Sequence, residues 1–146
     1  MNNCLLCHSS FRREINYEKL FLFVKYKERY TCSECLKKFV KKKGKICSGC
    51  NKEINTEGLC NDCLQWKQKY TGNLLDNRSL YQYNDTFHDV MVRYKRYGDY
   101  ILCHVLAELI DQLPAADYYV PVPSSPSHLE KRGFDTIYAI YQKLVP

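Results

Sequence analysis

Cys47-Ser-Gly-Cys-Asn-Lys-Glu-Ile-Asn-Thr-Glu-Gly-Leu-Cys-Asn-Asp-Cys63 is the stretch on which the reading of this chain turns. It holds two Cys-x-x-Cys knuckles, Cys47/Cys50 and Cys60/Cys63, joined by residues 51–59 with Asn51, Asn55 and Gly58 to turn the backbone. Two intervening residues let one tight turn aim both sulfurs at a single ion, and two such turns supply the four thiolates of a tetrahedral zinc site. A link this short suits a zinc-ribbon hairpin. Working outward toward the N-terminus, Cys4/Cys7 and Cys32/Cys35 repeat the same spacing, so eight of the nine cysteines stand in four identical pairs.

Four knuckles allow three pairings. The short link favours Cys47/Cys50 with Cys60/Cys63, which leaves Cys4/Cys7 with Cys32/Cys35 to close a longer loop around Phe21–Val24. A cross-braced arrangement, first with third and second with fourth, is the alternative. Either way the expectation is two zinc ions. Full thiolate ligation leaves no open coordination position, so both are expected to be structural, standing in for a core that sixty residues could scarcely supply.

The rest of the composition narrows the class. Nine cysteines in 146 residues would also fit a secreted disulfide scaffold, but the count is odd and Met1-Asn-Asn-Cys4 shows no export signal. In a reducing compartment, pairs at this spacing hold metal. A hydrophobic content of 45% supports a packed core, and Cys103, alone in an apolar helical pattern, reads as part of it. The apolar run Leu20–Val24 is stopped by Lys25 and is far too short to cross a bilayer. A cytoplasmic protein with no membrane insertion is therefore expected.

Positive charge is concentrated in the first half. Residues 1–70 hold 15 Lys and Arg against 7 Asp and Glu, and residues 71–146 hold 7 against 9. Eight thiolates around two dications would lower the first figure but leave it basic. Between knuckles two and three runs Leu36-Lys-Lys-Phe-Val-Lys-Lys-Lys-Gly-Lys45. Leu36, Phe39 and Val40 share one face of a helix there, with lysines on the rest. Lys37, Lys38, Lys41, Lys42, Lys43 and Lys45 are then either a solvated helix face or a patch that contacts nucleic-acid phosphates. Tyr26, Tyr30 and Trp66 could stack on unpaired bases or pack in the core.

Beyond a polar connector at 64–78, residues 79–146 read as α/β material. Ser79–Tyr83 is a strand candidate. Asn84 or Asp85 can cap a helix over 84–97, whose Phe87, Val90, Met91 and Tyr94 fall at i, i+3, i+4 and i+7. Gly98 ends it. A second helix, 100–113, carries a broad apolar face and stops at Pro114. Tyr118–Val122 is a strand, Pro123–Gly133 a loop, and 134–144 a final helix. With few strands to cover them, the apolar stripes of these helices, Val105 and Leu109 among them, are expected to lie partly exposed.

The order of motifs resembles the ComF family, the late-competence proteins of bacterial DNA uptake. The features that carry it are Cys4-Leu-Leu-Cys7, the later knuckles, Tyr81-Gln-Tyr-Asn-Asp85, Tyr94-Lys-Arg-Tyr-Gly-Asp99, Pro121-Val-Pro123 and Arg132-Gly-Phe134. The resemblance implies a small zinc-ribbon-like module followed by a partial α/β domain of type I phosphoribosyltransferase-like fold. The chain then divides into a double zinc module at 1–66, a connector at 67–78 and the first half of the α/β domain at 79–146. In that fold the loop after the first core strand approaches pyrophosphate, which implies Ser124 and Ser125 with Lys131 and Arg132 close behind. Two features depart from the family pattern. Asp135-Thr136 stands where Asn-Gln is usual, and the acidic pair with its Thr-Thr-Gly loop does not occur before Pro146. A truncated chain with no catalytic residues of its own is therefore expected. The implied role is an accessory in handling single-stranded DNA, partnered with the ATPase or helicase of the uptake machinery. A phosphoribosyltransferase completed by a missing half, and a free-standing zinc-ribbon nucleic-acid binder, are the rival readings.

Overall fold

The order of the chain follows from where its turns and caps fall. The structure, a computed structural model, describes residues 2–12, 28–70, 75–111 and 113–144. Phe21–Val24, Leu20 and Tyr26 lie outside the described residues. Packing divides the chain into two compact units, Met1–Lys38 with Asp85–Pro146, and Phe39–Asn84. Composition places a connector at 64–78 instead.

In the first unit, β1 (Asn2–Asn3) and β2 (Ser10–Phe11) pair antiparallel, Asn2 opposite Phe11 and Asn3 opposite Ser10. Helix α1 (Ser33–Lys37) follows. Most of the core is helical: α3 (Asp85–Lys95), α4 (Leu102–Glu108), α5 (Pro126–Arg132) and α6 (Thr136–Leu144). α3 starts at Asp85 and gives way to Gly98 at φ 72°, a left-handed conformation that glycine adopts without strain. α4 ends earlier than the apolar pattern suggests, because its last turn tightens and the Ile110 N–H reaches Ala107 O.

α4 packs chiefly on α6 and more lightly on α3. Val105 and Leu109, expected to be partly exposed, are 0% and 3% exposed. The correction has a simple cause: helices, not a sheet, cover that face. Leu102, Leu106 and Ala107 join them, and Cys103 is buried as core. Each fully buried aliphatic side chain contributes about 1.5–3 kcal/mol. Tyr94, wholly buried, donates its hydroxyl to Thr136 O at 2.6 Å and tilts against Phe134 at 5.5 Å. Burial pushes its phenol well above the ordinary value, so it stays a donor. Phe134 also meets Tyr100 edge-on at 5.0 Å.

The strand expected at Tyr118–Val122 does not form. Residues 113–125 run without regular structure, and Tyr118, Val120 and Val122 are 87%, 83% and 75% exposed. A strand exists only with a neighbour to bond, and no described residue pairs with this segment. The expected loop 123–133 contains α5 instead, with Pro126 at its start and Gly133 at φ 78° closing it. Among the described residues the parallel α/β sheet is therefore absent: the first unit is mostly helical with one two-stranded sheet.

Among the described residues of the second unit, α2 (Asn61–Lys69) is the helix. The helix expected across Leu36–Lys45 is not there, because α1 ends at Lys37. Beyond it the chain extends and bonds to Ser79–Tyr83. Gln82 N–H reaches Val40 O at 2.8 Å, Lys42 N–H reaches Leu80 O at 3.0 Å, and Lys41 bridges Tyr81 antiparallel. The second strand candidate thus contributes a single bridge, with Phe39 buried against the edge of Tyr81.

Candidate metal centres

Both centres are built on one plan. In each, a short antiparallel pairing brackets a knuckle: β1 and β2 around Cys4 and Cys7, and the Ile46–Glu53 bridge around Cys47 and Cys50. The residue after each knuckle turns left-handed, His8 at φ 60° and Asn51 at φ 61°. Their N–H groups return to Cys4 O at 2.9 Å and Cys47 O at 3.0 Å. Asparagine and histidine tolerate this conformation better than most residues.

The second half of each centre is a helix start. Cys32 caps α1 and Cys60 caps α2, their sulfurs accepting Cys35 N–H at 3.4 Å and Cys63 N–H at 3.5 Å. Across the centre, Cys32 N–H points at Cys4 Sγ at 3.4 Å and Cys60 N–H at Cys47 Sγ at 3.2 Å. Peptide N–H groups aimed at sulfur favour thiolate over thiol.

Cys4, Cys7, Cys32 and Cys35 come together, as do Cys47, Cys50, Cys60 and Cys63, with the four sulfurs of each set within 4.8 Å of one another. Adjacent knuckles therefore pair, and the cross-braced arrangement does not occur. Within the first centre Cys7 and Cys32 Sγ stand 3.7 Å apart and within the second Cys50 and Cys60 Sγ 3.6 Å, both far from disulfide length. A tetrahedron with Zn–S of about 2.3 Å has edges of about 3.8 Å. Four soft donors at that spacing fit zinc.

Charge is unevenly held within each set. Hydrogen bonds from Ser9 bring the Cys7 thiol down to about 6, and the Cys50 and Cys60 N–H groups do the same for Cys47. Burial, then hydrogen bonding to its neighbours, pushes Cys35 well above the ordinary thiol value and Cys63 up to about 12. One sulfur of each set inclines to the thiolate, and another releases its proton to solvent only when a cation takes the proton's place. A dication at the centre supplies that incentive.

The first centre is fastened to the helices of its own unit. Tyr30 lies two residues before Cys32. Its carbonyl takes the Leu5 N–H at 2.9 Å, its N–H donates to Glu108 Oε2 at 3.0 Å, and its ring lies 4.4 Å from His104. Arg29 Nε stands 3.7 Å from the same carboxylate. This link was invisible in the sequence, which offered Tyr30 only as a stacking or core residue.

The lysine run does not act as one face. Lys42 is spent inside the second unit, its Nζ donating to Asn51 O and Ser79 Oγ at 2.7 Å each. Lys37 pairs with Glu34 at 2.9 Å, Lys45 with Glu57 at 3.9 Å, and Lys41 lies 5.9 Å over the Tyr81 ring. Lys38 and Lys43 are exposed.

Ser124 and Ser125 precede α5, whereas Lys131 and Arg132 occupy its last turn. Seven helical residues rise about 10 Å, so the two pairs stand at opposite ends of the helix. The Ser124 N–H is already engaged by Asp135 Oδ2 at 2.5 Å. Asp135 Oδ1 accepts the Ile137 and Tyr138 N–H groups at 2.9 and 2.8 Å, so this carboxylate caps α6 as well. These bonds, Tyr138's first, hold its pKa below the ordinary carboxylate value.

The chain is 31% identical over 149 aligned positions to the competence protein ComFC of Bacillus subtilis strain 168. It is 30% identical over 138 positions to ComFC of Streptococcus pneumoniae strain R6. These alignments take in 97% and 92% of this chain but 61% and 60% of the relatives, so the chain spans about three fifths of their length. No family model matches it, and no solved structure is significantly similar. In motif order, and in identity along nearly its whole length, the chain is similar to the competence protein ComFC.

Proposed function

We propose that the chain serves natural transformation, handling incoming single-stranded DNA on the cytoplasmic side together with the ATPase of the uptake machinery. The observation that carries this reading is the identity to two competence proteins across more than nine tenths of the chain. Zinc fills both cysteine tetrads and acts structurally, since four thiolates close the coordination sphere. Residues 79–146 are the first part of a phosphoribosyltransferase-like domain, in which Tyr118–Val122 becomes a strand once neighbours reach it. No helix among the described residues is long and apolar enough to cross a membrane, which is compatible with a cytoplasmic place.

The reading is tested in the host. Deleting the gene should sharply lower transformation frequency, and the wild-type gene should restore it. Versions carrying Cys4→Ser or Cys47→Ser should not. Unchanged transformation in the deletion strain would reject the proposal.

A further inference from the structure

The second unit carries a feature that the metal centre does not require. On α2, Trp66, Lys69 and Tyr70 fall at i, i+3 and i+4 and so share one face. The Trp66 and Tyr70 rings lie 5.1 Å apart and 13° from parallel, an offset stack. Lys69 Nζ stands 5.8 Å from one ring centroid and 5.6 Å from the other. Trp66 is nonetheless 52% exposed and Tyr70 46%. Beside Trp66 opens a cavity of about 470 Å³, bordered by Gly49, Leu59, Cys63, Lys67, Asp76 and Asn77. Its volume is that of a small-molecule site.

We infer that the Trp66–Tyr70 stack and this cavity bind an unpaired nucleobase, with Lys67 and Lys69 taking its phosphate. Four properties select that ligand. Two parallel rings with open surface are an unfinished stack, and a flat π-system extends it without regard to sequence. Lys67 supplies a cation at the cavity, and Lys69 one beside the stacked rings. Asp76 and Asn77 line the cavity; the Asn77 amide donates to Cys50 O at 3.5 Å, while the Asp76 carboxylate suits the exocyclic amines and ring N–H groups of base edges and turns phosphate toward the lysines. Gly49 forms one wall close to the metal ligands: a Cβ there would stand 3.1 Å from Leu59 Cδ2 and 3.3 Å from Cys63 Sγ. The inference rests on the DNA-handling reading only for the source of the base, a single strand in place of a free nucleotide.

Trp66 is the only tryptophan in the chain, so its fluorescence reports this site alone. The full chain loaded with zinc is titrated with an oligothymidylate of about eight residues, within the range one binding fold occupies. Fluorescein anisotropy reports binding, and Trp66 quenching reports the site. Thymidine monophosphate and a duplex of equal length are run beside it. Quenching should saturate with the anisotropy for the single strand and fail for the duplex. Equal quenching by the monophosphate would assign the same site to free nucleotides. Trp66→Ala and Tyr70→Ala should each weaken binding about 5- to 150-fold, with two zinc ions retained. Lys69→Gln, which leaves both rings in place, should weaken it too and flatten the salt dependence. An anisotropy rise without quenching, with Trp66→Ala binding like wild type, would overturn this site while leaving the DNA-handling reading intact. No response to any nucleic acid or nucleotide would also overturn it, and the transformation assay would then judge the broader reading separately.

Discussion

Replacing Glu108 by alanine tests how the first metal centre is held. Its carboxylate is 6% exposed and lies at the end of α4, where Oε2 accepts the Tyr30 N–H at 3.0 Å and Oε1 stands 3.7 Å from Arg29. Tyr30 in turn bonds Leu5 of the first knuckle and adjoins Cys32 of the second. Alanine removes the carboxylate that accepts a part-buried peptide N–H and stands beside a guanidinium. A hydrogen bond to a charged group contributes about 1.5–3 kcal/mol, and a domain holds only about 5–15 kcal/mol in all. Glu108→Ala should therefore lower the urea midpoint measurably with the m-value unchanged, and zinc should leave the first centre faster when chelator is added. Glu108→Gln should recover part of the loss, because its amide oxygen can still accept from Tyr30. Glu34→Ala is the control: its pair with Lys37 is shorter, at 2.9 Å, but both side chains are more than 70% exposed, so its removal should hardly register. Equal losses in the alanine variants at 34 and 108 would refute the anchoring argument.

Reduced protein purified without chelator should carry two zinc ions by elemental analysis. Cys60→Ser should carry one and Cys103→Ser two; a wild-type ratio near zero would dismiss the tetrads as metal centres. Asp135→Ala should cost about 1 kcal/mol as a lost helix cap. Because the native pKa of Asp135 is depressed, its charged form contributes in full above the unfolded value of about 3.9 and less as pH falls through the native value. The gap between wild type and variant should thus be flat near neutrality and close in acid; a gap that widens in acid would contradict the cap. If Lys41, Lys43 and Lys45 touch phosphates, neutralising all three should reduce the log–log salt slope of single-strand binding by about 2, at about 0.7 per contact. Lys42→Ala should instead lower the denaturation midpoint, since its Nζ serves Asn51 and Ser79.

What the sequence disclosed was what depends on near neighbours. A Cys-x-x-Cys turn is fixed by four residues, and the short link 51–59 pointed to the right partner. The helices of the first unit were legible for the same reason: Val90 and Tyr94 recur at helical spacing, Gly98 stops α3, and Thr136–Leu144 nearly matches the expected 134–144. α5 also had its signals, Pro126 after Ser125 at one end and Gly133 at the other, but proline, serine and glycine equally mark turns, so the stretch reads as a loop. The lysine stretch failed differently. Leu36, Phe39 and Val40 do have helical spacing, but Val40 and Lys42 find peptide partners at Gln82 and Leu80, and a distant pairing overrides a local preference. No periodicity could announce that pairing.

The two metal centres show how far local rules reach and where they stop. Their coordinating parts are nearly superposable in description: bracketed knuckle, left-handed residue, sulfur-capped helix, peptide N–H on sulfur. All of that is encoded within a few residues of each cysteine. Their surroundings are not alike. Around the first, Tyr30 and Glu108 tie the knuckles to α4, so the tetrad there is fastened to a helical core more than seventy residues away in sequence. Around the second, α2 runs on from Cys63 to Trp66, Lys69 and Tyr70, and the helix that completes the tetrad also carries the exposed aromatic stack. One coordination scheme therefore serves two ends, anchoring a core in one unit and presenting a surface in the other. The difference lies at Tyr30, Glu108, Trp66 and Tyr70, all outside the Cys-x-x-Cys knuckles.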